Sequence, residues 1–85
     1  MISGLIIRRA LLSDVDQIIE FTRNTFPWGD YVPKAISEWV SEGTAYVAVV
    51  EGRVVGVINM VMVKEMGVAW LEGLRVHPGY RRMGI

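Results

Sequence analysis

The stretch from Thr44 to Val76 constrains the fold most, because it consists of β-branched and apolar runs separated by short turn segments. Residues 46–50 and 54–63 flank the turn Glu51-Gly52-Arg53, an arrangement that is typical of a β-hairpin. We therefore expect two adjacent antiparallel strands here.

A second turn at 64–67 leads into another run at 68–76, which predicts a further strand. His77-Pro78-Gly79 ends it, because proline cannot continue a strand ladder. The second half of the chain therefore predicts an antiparallel meander of three strands.

The first half predicts one short strand at Leu5-Ile6-Ile7 followed by a helix. Ser13 is placed as an N-cap, and the carboxylates that follow it favour the positive end of a helix. Apolar residues with helical spacing carry this helix to about Phe26. The expected buried face consists of Val15, Ile18, Ile19, Thr22 and Phe26.

A second, shorter helix is expected to begin near Pro33, which suits a first helical turn. Ile36, Trp39 and Val40 give it an apolar stripe, and Gly43 suits a left-handed C-terminal cap. The predicted architecture is a single α/β (α+β) domain over residues 1–85 with element order β-α-α-β-β-β. Its sheet has four antiparallel strands, with both helices between the first and second strands.

Composition excludes several classes of function. Nine basic and nine acidic side chains cancel, so no global field recruits nucleic acid or an anionic membrane. The absence of cysteine excludes disulfides and a thiolate nucleophile, and a single histidine argues against a zinc site. The opening residues lack the pattern of a signal peptide, and the longest apolar run is far shorter than the ~20 residues of a spanning helix. We expect a soluble cytoplasmic protein without a metal.

Two adjacent arginines and a glycine follow the last predicted strand. Backbone N–H groups in such a turn converge on an anion, and a following helix N-terminus adds its dipole. A Walker A loop is excluded, because it requires a lysine directly after its second glycine and Ile85 stands there after Gly84. The remaining alternatives are another phosphate loop and a solvated surface pair formed by Arg81 and Arg82.

Residues 81–85 resemble the pyrophosphate loop of the GNAT acetyltransferase superfamily, whose pattern is Gln/Arg-x-x-Gly-x-Gly/Ala, and fill all but its final position. The stretch 70–82 is similar to the family's fourth strand and following loop, and the order of elements is also the family's. The resemblance covers essentially the whole chain. It implies that the chain corresponds to the N-terminal half of a GNAT domain, truncated within the loop, with the C-terminal half of the fold absent.

The resemblance implies a binding mode for acetyl-coenzyme A, the cosubstrate of this family. The backbone of Leu74, Arg75 and Val76 would pair with the pantetheine arm like another strand. The Leu74 N–H would polarise the thioester carbonyl, since a donor aimed at the developing oxyanion lowers the barrier. The pyrophosphate would be contacted by the N–H groups of Arg81, Arg82, Met83, Gly84 and Ile85.

The reaction needs a neutral amine, yet a lysine-like amine has a pKa near ~10.4 and is protonated at neutral pH. Glu72 is the candidate base, directly or through water. It alternates with Leu74 and Val76, so we expect it on their face of the strand. The alternative is an ordinary strand carboxylate that faces solvent.

Several aromatic and polar residues could serve either the site or the packing of the fold. The resemblance implies that the loop between the helices forms the acceptor wall, which makes Trp28 and Tyr31 candidate substrate-binding residues, although core packing explains them equally. Trp39 is interpreted as a core residue. His77 precedes a proline at a strand end and is interpreted as a turn residue rather than a catalyst.

The function expected from these features is N-acetyltransfer from acetyl-coenzyme A to a primary amine by direct attack in a ternary complex. The sequence does not determine the acceptor, which could be a small amine, an aminoglycoside, a polyamine, an amino acid or a protein N-terminus. The alternative is a non-catalytic GNAT-like half-domain that self-associates or binds a partner. The 85-residue chain by itself is expected to be inactive and dimeric, because its last strand is an apolar edge with unpaired backbone groups.

The loop assignment predicts the effect of a charge at Gly84. In a full-length protein that carries this sequence, Gly84→Asp should weaken coenzyme A binding, because the carboxylate adds bulk and repels the pyrophosphate. Isothermal titration of both proteins with coenzyme A measures the effect. An unchanged affinity would remove the phosphate-loop assignment.

Overall fold

The computed structural model describes residues 4–23 and 29–81, which form an α+β unit of four strands and two helices. Short 3₁₀ turns lie at Leu12–Asp14, Lys64–Met66 and Pro78–Tyr80. In chain order the main elements are β1 (Leu5–Arg9), α1 (Val15–Thr22), α2 (Val32–Glu42), β2 (Ala45–Val50), β3 (Arg53–Val63) and β4 (Val68–Val76).

The strands form one sheet in the order β1-β2-β3-β4, and each neighbouring pair is antiparallel. The predicted meander is confirmed, including the bounds of β4. The β2–β3 turn has positive φ at both Glu51 and Gly52, as a two-residue hairpin requires. Both helices lie between β1 and β2 in sequence, as expected.

The predicted N-cap at Ser13 is wrong. A 3₁₀ turn occupies Leu12–Asp14 and α1 begins at Val15. The Asp14 carboxylate accepts hydrogen bonds from the Leu11 backbone N–H at 2.7 Å and from the Arg8 guanidinium at 2.7 and 2.9 Å. A carboxylate anchored to β1 therefore sets where the helix begins. The expected end of this helix, at Phe26, lies outside the described residues.

The second helix follows its predicted pattern. Pro33 lies in its first turn, and Gly43 caps its C-terminus with φ of 76°. The N–H of Gly43 and that of Thr44 donate to carbonyls of the last turn, which satisfies groups that the helix itself leaves open. Ile36 and Trp39 are buried and Val40 packs against them, so the predicted apolar stripe and the core position of Trp39 are confirmed.

The main core lies between one face of the sheet, which we call the helix face, and the two helices. Ile18 and Phe21 of α1 and Ile36 of α2 pack there against valines of β2 and β3. The Gln17 side chain accepts a hydrogen bond from the Val54 N–H at 3.1 Å and ties α1 to β3. On the opposite face, the open face, Leu5 and Tyr80 pack on a smaller cluster of Ala48, Val50 and Val55.

The β3–β4 hairpin projects beyond the rest of the sheet. β2 begins at Ala45, which pairs with Asn59, whereas β3 continues to Val63 and pairs with β4 throughout. Residues 61–70 therefore form a two-stranded ribbon without a third strand beside it. It carries several exposed apolar side chains: Val61, Met62, Met66, Val68 and Trp70.

The Arg8–Asp14 pair predicts acid-sensitive stability. The hydrogen bonds from Arg8 and the Leu11 N–H lower the pKa of Asp14 despite its burial. A carboxyl with a depressed pKa stabilises the fold above its unfolded value, and this contribution is lost as the pH falls through the folded value. Asp14→Asn should therefore lower the free energy of unfolding by about 1–2 kcal/mol at pH 7, and this deficit should shrink progressively as the pH falls below about 4, the usual pKa of an unfolded aspartate.

Denaturant unfolding of both proteins from pH 7 to pH 2 measures this difference. Asp16→Asn is the matched control, since Asp16 is exposed in the same helical turn. A deficit in Asp14→Asn that stays constant down to pH 2 would contradict the assigned role of the carboxylate.

Candidate functional site

A β-bulge interrupts β4 at Gly73. Asn59 pairs with Glu72 and Val57 pairs with Arg75, so Gly73 and Leu74 together stand opposite a single residue of β3. Gly73 has φ of 68°, a left-handed conformation that glycine adopts without strain. The bulge therefore depends on the glycine.

The bulge shifts the side-chain alternation along β4 by one residue. Glu72 and Arg75 both lie on the helix face, opposite Asn59 and Val57. Leu74 and Val76 lie on the open face, where they line a shallow cleft of about 150 Å³ with Ile7 and Ile58, among others. The expectation that Glu72 shares a face with Leu74 and Val76 is wrong, because it assumed an unbroken alternation through Gly73.

Two aromatic side chains lie directly over the bulge. A Cβ atom at Gly73 would lie 2.7 Å from Trp39 Cη2 and 3.5 Å from the Tyr31 hydroxyl. The Tyr31 and Trp39 rings meet edge to face, with centroids 6.0 Å apart. Trp39 is buried, whereas Tyr31 remains half exposed. The sequence candidate Tyr31 thus lies next to Gly73 of β4, and Trp28 lies outside the described residues.

Asp30 and Arg75 connect the start of α2 to β4. Arg75 Nε donates to Asp30 Oδ2 at 2.7 Å, and Nη2 donates to Oδ1 at 3.1 Å. The Asp30 side chain is fully buried and that of Arg75 is 17% exposed, so this two-pronged pair is shielded from solvent. The Arg75 guanidinium also lies 5.6 Å from the Tyr31 ring centre. Hydrogen bonding to Asp30 raises the pKa of Arg75 and keeps it cationic.

Beside this ion pair lies a surface cleft of about 510 Å³. Basic side chains outnumber acidic ones in its wall, and Tyr31 supplies its aromatic part. The described residues that line it are Arg23, Gly29, Asp30, Tyr31, Pro33, Lys34 and Arg75.

Asn59 and Glu72 form a polar pair on the helix face. The Asn59 amide Nδ2 donates to Glu72 Oε1 at 3.2 Å. Asn59 is 2% exposed and Glu72 is half buried, so one partner is fixed in the core while the other reaches solvent. We call Tyr31, Trp39, Asn59, Glu72 and Gly73 the bulge site.

The turn after β4 is held by His77. Its backbone N–H donates to the Val55 carbonyl at 2.7 Å, and its Nδ1 accepts from the Gly79 N–H at 3.0 Å. The ring packs between Phe21 and Tyr80. These contacts support the interpretation of His77 as a turn residue, because an Nδ1 occupied by a backbone N–H is committed to the turn.

The described part of the loop ends at Arg81, whose side chain donates to the Val76 carbonyl at 3.3 Å. This bond folds the arginine back on the end of β4. The predicted pyrophosphate contacts at Arg82, Met83, Gly84 and Ile85 lie outside the described residues.

Within residues 4–23 and 29–81, histidine, aspartate and glutamate side chains form no group of three that could hold a metal ion. The same residues contain no helix that is long and apolar enough to cross a membrane.

Comparison with known proteins identifies the family to which this fold belongs. Residues 13–85 match the model of the acetyltransferase (GNAT) family. This chain therefore belongs to the GNAT acetyltransferase family, as its resemblance in sequence implies.

Individual relatives are longer than this chain. It is 30% identical over 74 residues to histidine N-acetyltransferase of Xenopus tropicalis, a match that covers 85% of this chain and 23% of that protein. A GNAT-family acetyltransferase from Bacillus cereus shares the fold with a TM-score of 0.75 at 18% identity, over 92% of this chain and 54% of the other.

A third comparison includes a bound cofactor. The solved structure of diaminobutyrate acetyltransferase EctA from Paenibacillus lautus is a complex with its substrate L-2,4-diaminobutyric acid and coenzyme A. It shares the fold with a TM-score of 0.65 at 21% identity, over 94% of this chain and 50% of the other. At this identity the likeness concerns the fold alone.

Three features of the site were not predicted from the sequence. Asn59 is hidden in an apolar run, and its pairing with Glu72 depends on strand register. The Asp30–Arg75 pair joins residues far apart in the chain. A usable signal existed for the bulge, since an isolated glycine within a strand pattern indicates one.

The contact between Gly73 and Trp39 predicts a specific loss of stability. Gly73→Ala should lower the free energy of unfolding by about 3 kcal/mol, because the methyl group meets the indole and alanine disfavours a left-handed conformation. Gly67→Ala is the matched control: Gly67 has φ of 65° but open space around its Cβ position. It should lose only about 1 kcal/mol.

Chemical denaturation of the two variants beside the parent measures both losses. Equal losses would mean that the Trp39 contact contributes nothing and would contradict the packing described for the bulge site.

Proposed function

We propose that this chain forms the acetyl-coenzyme A side of an N-acetyltransferase that transfers an acetyl group to a primary amine by direct attack in a ternary complex, in the cytoplasm. Membership of the GNAT family supports the reaction class. The observation that carries the assignment of the site is the Gly73 bulge, which places a carboxylate and two aromatic side chains at the edge strand β4.

The proposed cofactor path follows the outer edge of β4. In the described sheet β4 pairs with β3 on one side only, so its other edge presents backbone N–H and C=O groups. The backbone of Leu74, Arg75 and Val76 is proposed to pair there with the pantetheine arm. The pyrophosphate is proposed to bind to the N–H groups of Arg81, Arg82, Met83, Gly84 and Ile85.

The proposed base is Glu72, and the placement of its carboxylate supports this role. Glu72 lies on the helix face next to Gly73, whereas the backbone N–H of Leu74 lies in the plane of the sheet. An acceptor that arrives from the helix face would therefore meet the carboxylate first and the thioester at the sheet edge behind it. This geometry separates proton removal from carbonyl activation.

In the proposed reaction the acceptor nitrogen loses two protons, one before and one after its attack. Glu72 takes one proton from the ammonium group of the acceptor, and the neutral nitrogen attacks the thioester carbonyl carbon. The Leu74 N–H donates to the oxygen that becomes negative, and the C–S bond breaks as the tetrahedral intermediate collapses. The thiolate leaves with the bonding electron pair and takes up a second proton lost by the nitrogen, and Glu72 returns its proton to solvent.

The acceptor is proposed to approach past Tyr31 through the cleft beside α2. Tyr31 is half exposed and its hydroxyl lies near the bulge, which supports a substrate-contacting role; Trp28 is proposed beside it. The basic side chains of the cleft would suit an acceptor that also carries a carboxylate. Two proteins in the comparisons are named for amino-acid acceptors, histidine and diaminobutyrate.

One observation favours the alternative of a self-associating or partner-binding module. Leu74 is 62% exposed on the open face, and Ile7 and Leu71 are also exposed. Pairing of two copies through the β4 edge would cover unpaired backbone groups and apolar area worth roughly 25 cal/mol per Å². We therefore propose that the 85-residue chain by itself is a dimer without turnover.

The proposed function is tested in a full-length protein that carries this sequence. Calorimetric titration should show binding of coenzyme A and acetyl-coenzyme A and none of ATP. Coenzyme A release with a panel of amines should identify an acceptor, and Glu72→Gln should lower kcat by at least about a hundredfold, because the amide keeps the shape but takes up no proton.

Glu65→Gln is the matched control, since Glu65 is exposed in the turn of the distant ribbon. It should leave kcat within twofold. Equal binding of ATP and coenzyme A, or the absence of turnover with every amine, would overturn the proposed reaction. A Glu72→Gln rate within about twofold of the parent across pH would remove Glu72 as the base.

A further inference from the structure

Asn59 stands out among the buried residues of β3. Its neighbours on the helix face of that strand are valines, and its cross-strand partner on β2 is Ala45. The Asn59 side chain is 2% exposed, so its amide is almost completely removed from solvent. The packing of the core does not account for a polar side chain here.

The hydrogen bond to Glu72 fixes which way the amide points. An ionised carboxylate only accepts hydrogen bonds, so Asn59 must present its NH₂ group to Glu72 Oε1, as the 3.2 Å contact shows. The amide oxygen is then directed away from Glu72. In the described structure this Oδ1 is buried and has no hydrogen-bond partner.

A buried acceptor without a donor is unfavourable for folding. A leucine would match the shape of Asn59 and leave no polar atom unsatisfied. Stability therefore does not explain the asparagine, and the remaining contact of its amide is the one with Glu72.

Glu72 has a flexible side chain on an edge strand directly before the bulge. Its Oε1 is held by an amide that is itself fixed in the core, which leaves Oε2 without that constraint. Holding one oxygen orients the other, and orientation of a base toward its proton contributes strongly to rate.

We propose that Asn59 is the positioning residue for Glu72: its amide holds one carboxylate oxygen so that the other accepts the proton of the acceptor amine. This inference rests on the proposed acetyltransfer reaction. Asn59 touches neither the acceptor nor acetyl-coenzyme A and acts through Glu72.

The test is a double-mutant cycle with Asn59→Leu, Glu72→Gln and the double variant in a full-length protein that carries this sequence. Asn59→Leu should lower kcat at least about tenfold, leave KM for acetyl-coenzyme A within about twofold, and raise Tm. In the Glu72→Gln background, Asn59→Leu should cause no further loss of kcat. Met60→Leu, at the next position on the opposite face, is the control and should leave kcat within twofold.

Two results of this cycle would overturn the positioning role of Asn59. A merely structural asparagine predicts that Asn59→Leu lowers Tm and leaves the kcat of the folded enzyme unchanged, which would overturn it. An equal further loss in the Glu72→Gln background would also overturn it, because Asn59 would then act independently of the carboxylate.

A second measurement uses no Asn59 variant. The side-chain amide resonances of Asn59, followed by ¹⁵N NMR, should shift and exchange faster with water in Glu72→Leu than in the parent, and identical resonances would refute the contact. If the resonances shift but kcat is unchanged in Asn59→Leu, the acetyltransfer stands and the positioning role is wrong. If the parent acetylates no amine, the proposed function is wrong and the positioning role is refuted with it.

Discussion

The contact between Gly73 and the Trp39 indole is the constraint on which the rest of the site depends. The glycine permits the left-handed turn of the backbone, and its missing Cβ leaves room for the ring. Because the bulge adds one residue to β4, Glu72 and Arg75 come to the same face of the sheet. Arg75 then reaches Asp30, and Glu72 reaches Asn59. The bulge at Gly73 therefore determines which polar side chains of β4 face the helices.

Much of the fold was predictable from the sequence, because its strands and α2 are specified by local signals. Turn residues between β-branched runs predicted the meander, and Pro33 and Gly43 predicted the two ends of the second helix. The start of α1 was misplaced, because Ser13 precedes two carboxylates in the chain and has as good an intrinsic capping preference as Asp14. Asp14 prevails through its bonds to Arg8, a residue of another element that local preference does not take into account.

The site was less predictable than the fold, and for a related reason. Glu72 was found from a resemblance, but its face was assigned by an alternation that Gly73 interrupts. Tyr31 was a candidate, yet its position over the bulge follows from the packing of α2 on the sheet. Asn59 gave no signal, since one amide within a valine-rich run has meaning only when the register places it opposite a carboxylate. Residues whose role depends on a cross-strand partner are hidden from local patterns.

The projecting ribbon at 61–70 divides the sheet into two parts that are stabilised by different numbers of neighbours. Two strands, β2 and β4, flank β3 up to Asn59 and the helices pack on this part of the sheet, whereas beyond that point each strand has a single neighbour and exposed apolar side chains. Segments with few buried contacts open at a lower free energy than the core, so we expect the ribbon to open before the core does. The Asn59–Glu72 pair lies at the boundary between these two parts, so the carboxylate is held at the last position where β3 still has a strand on each side.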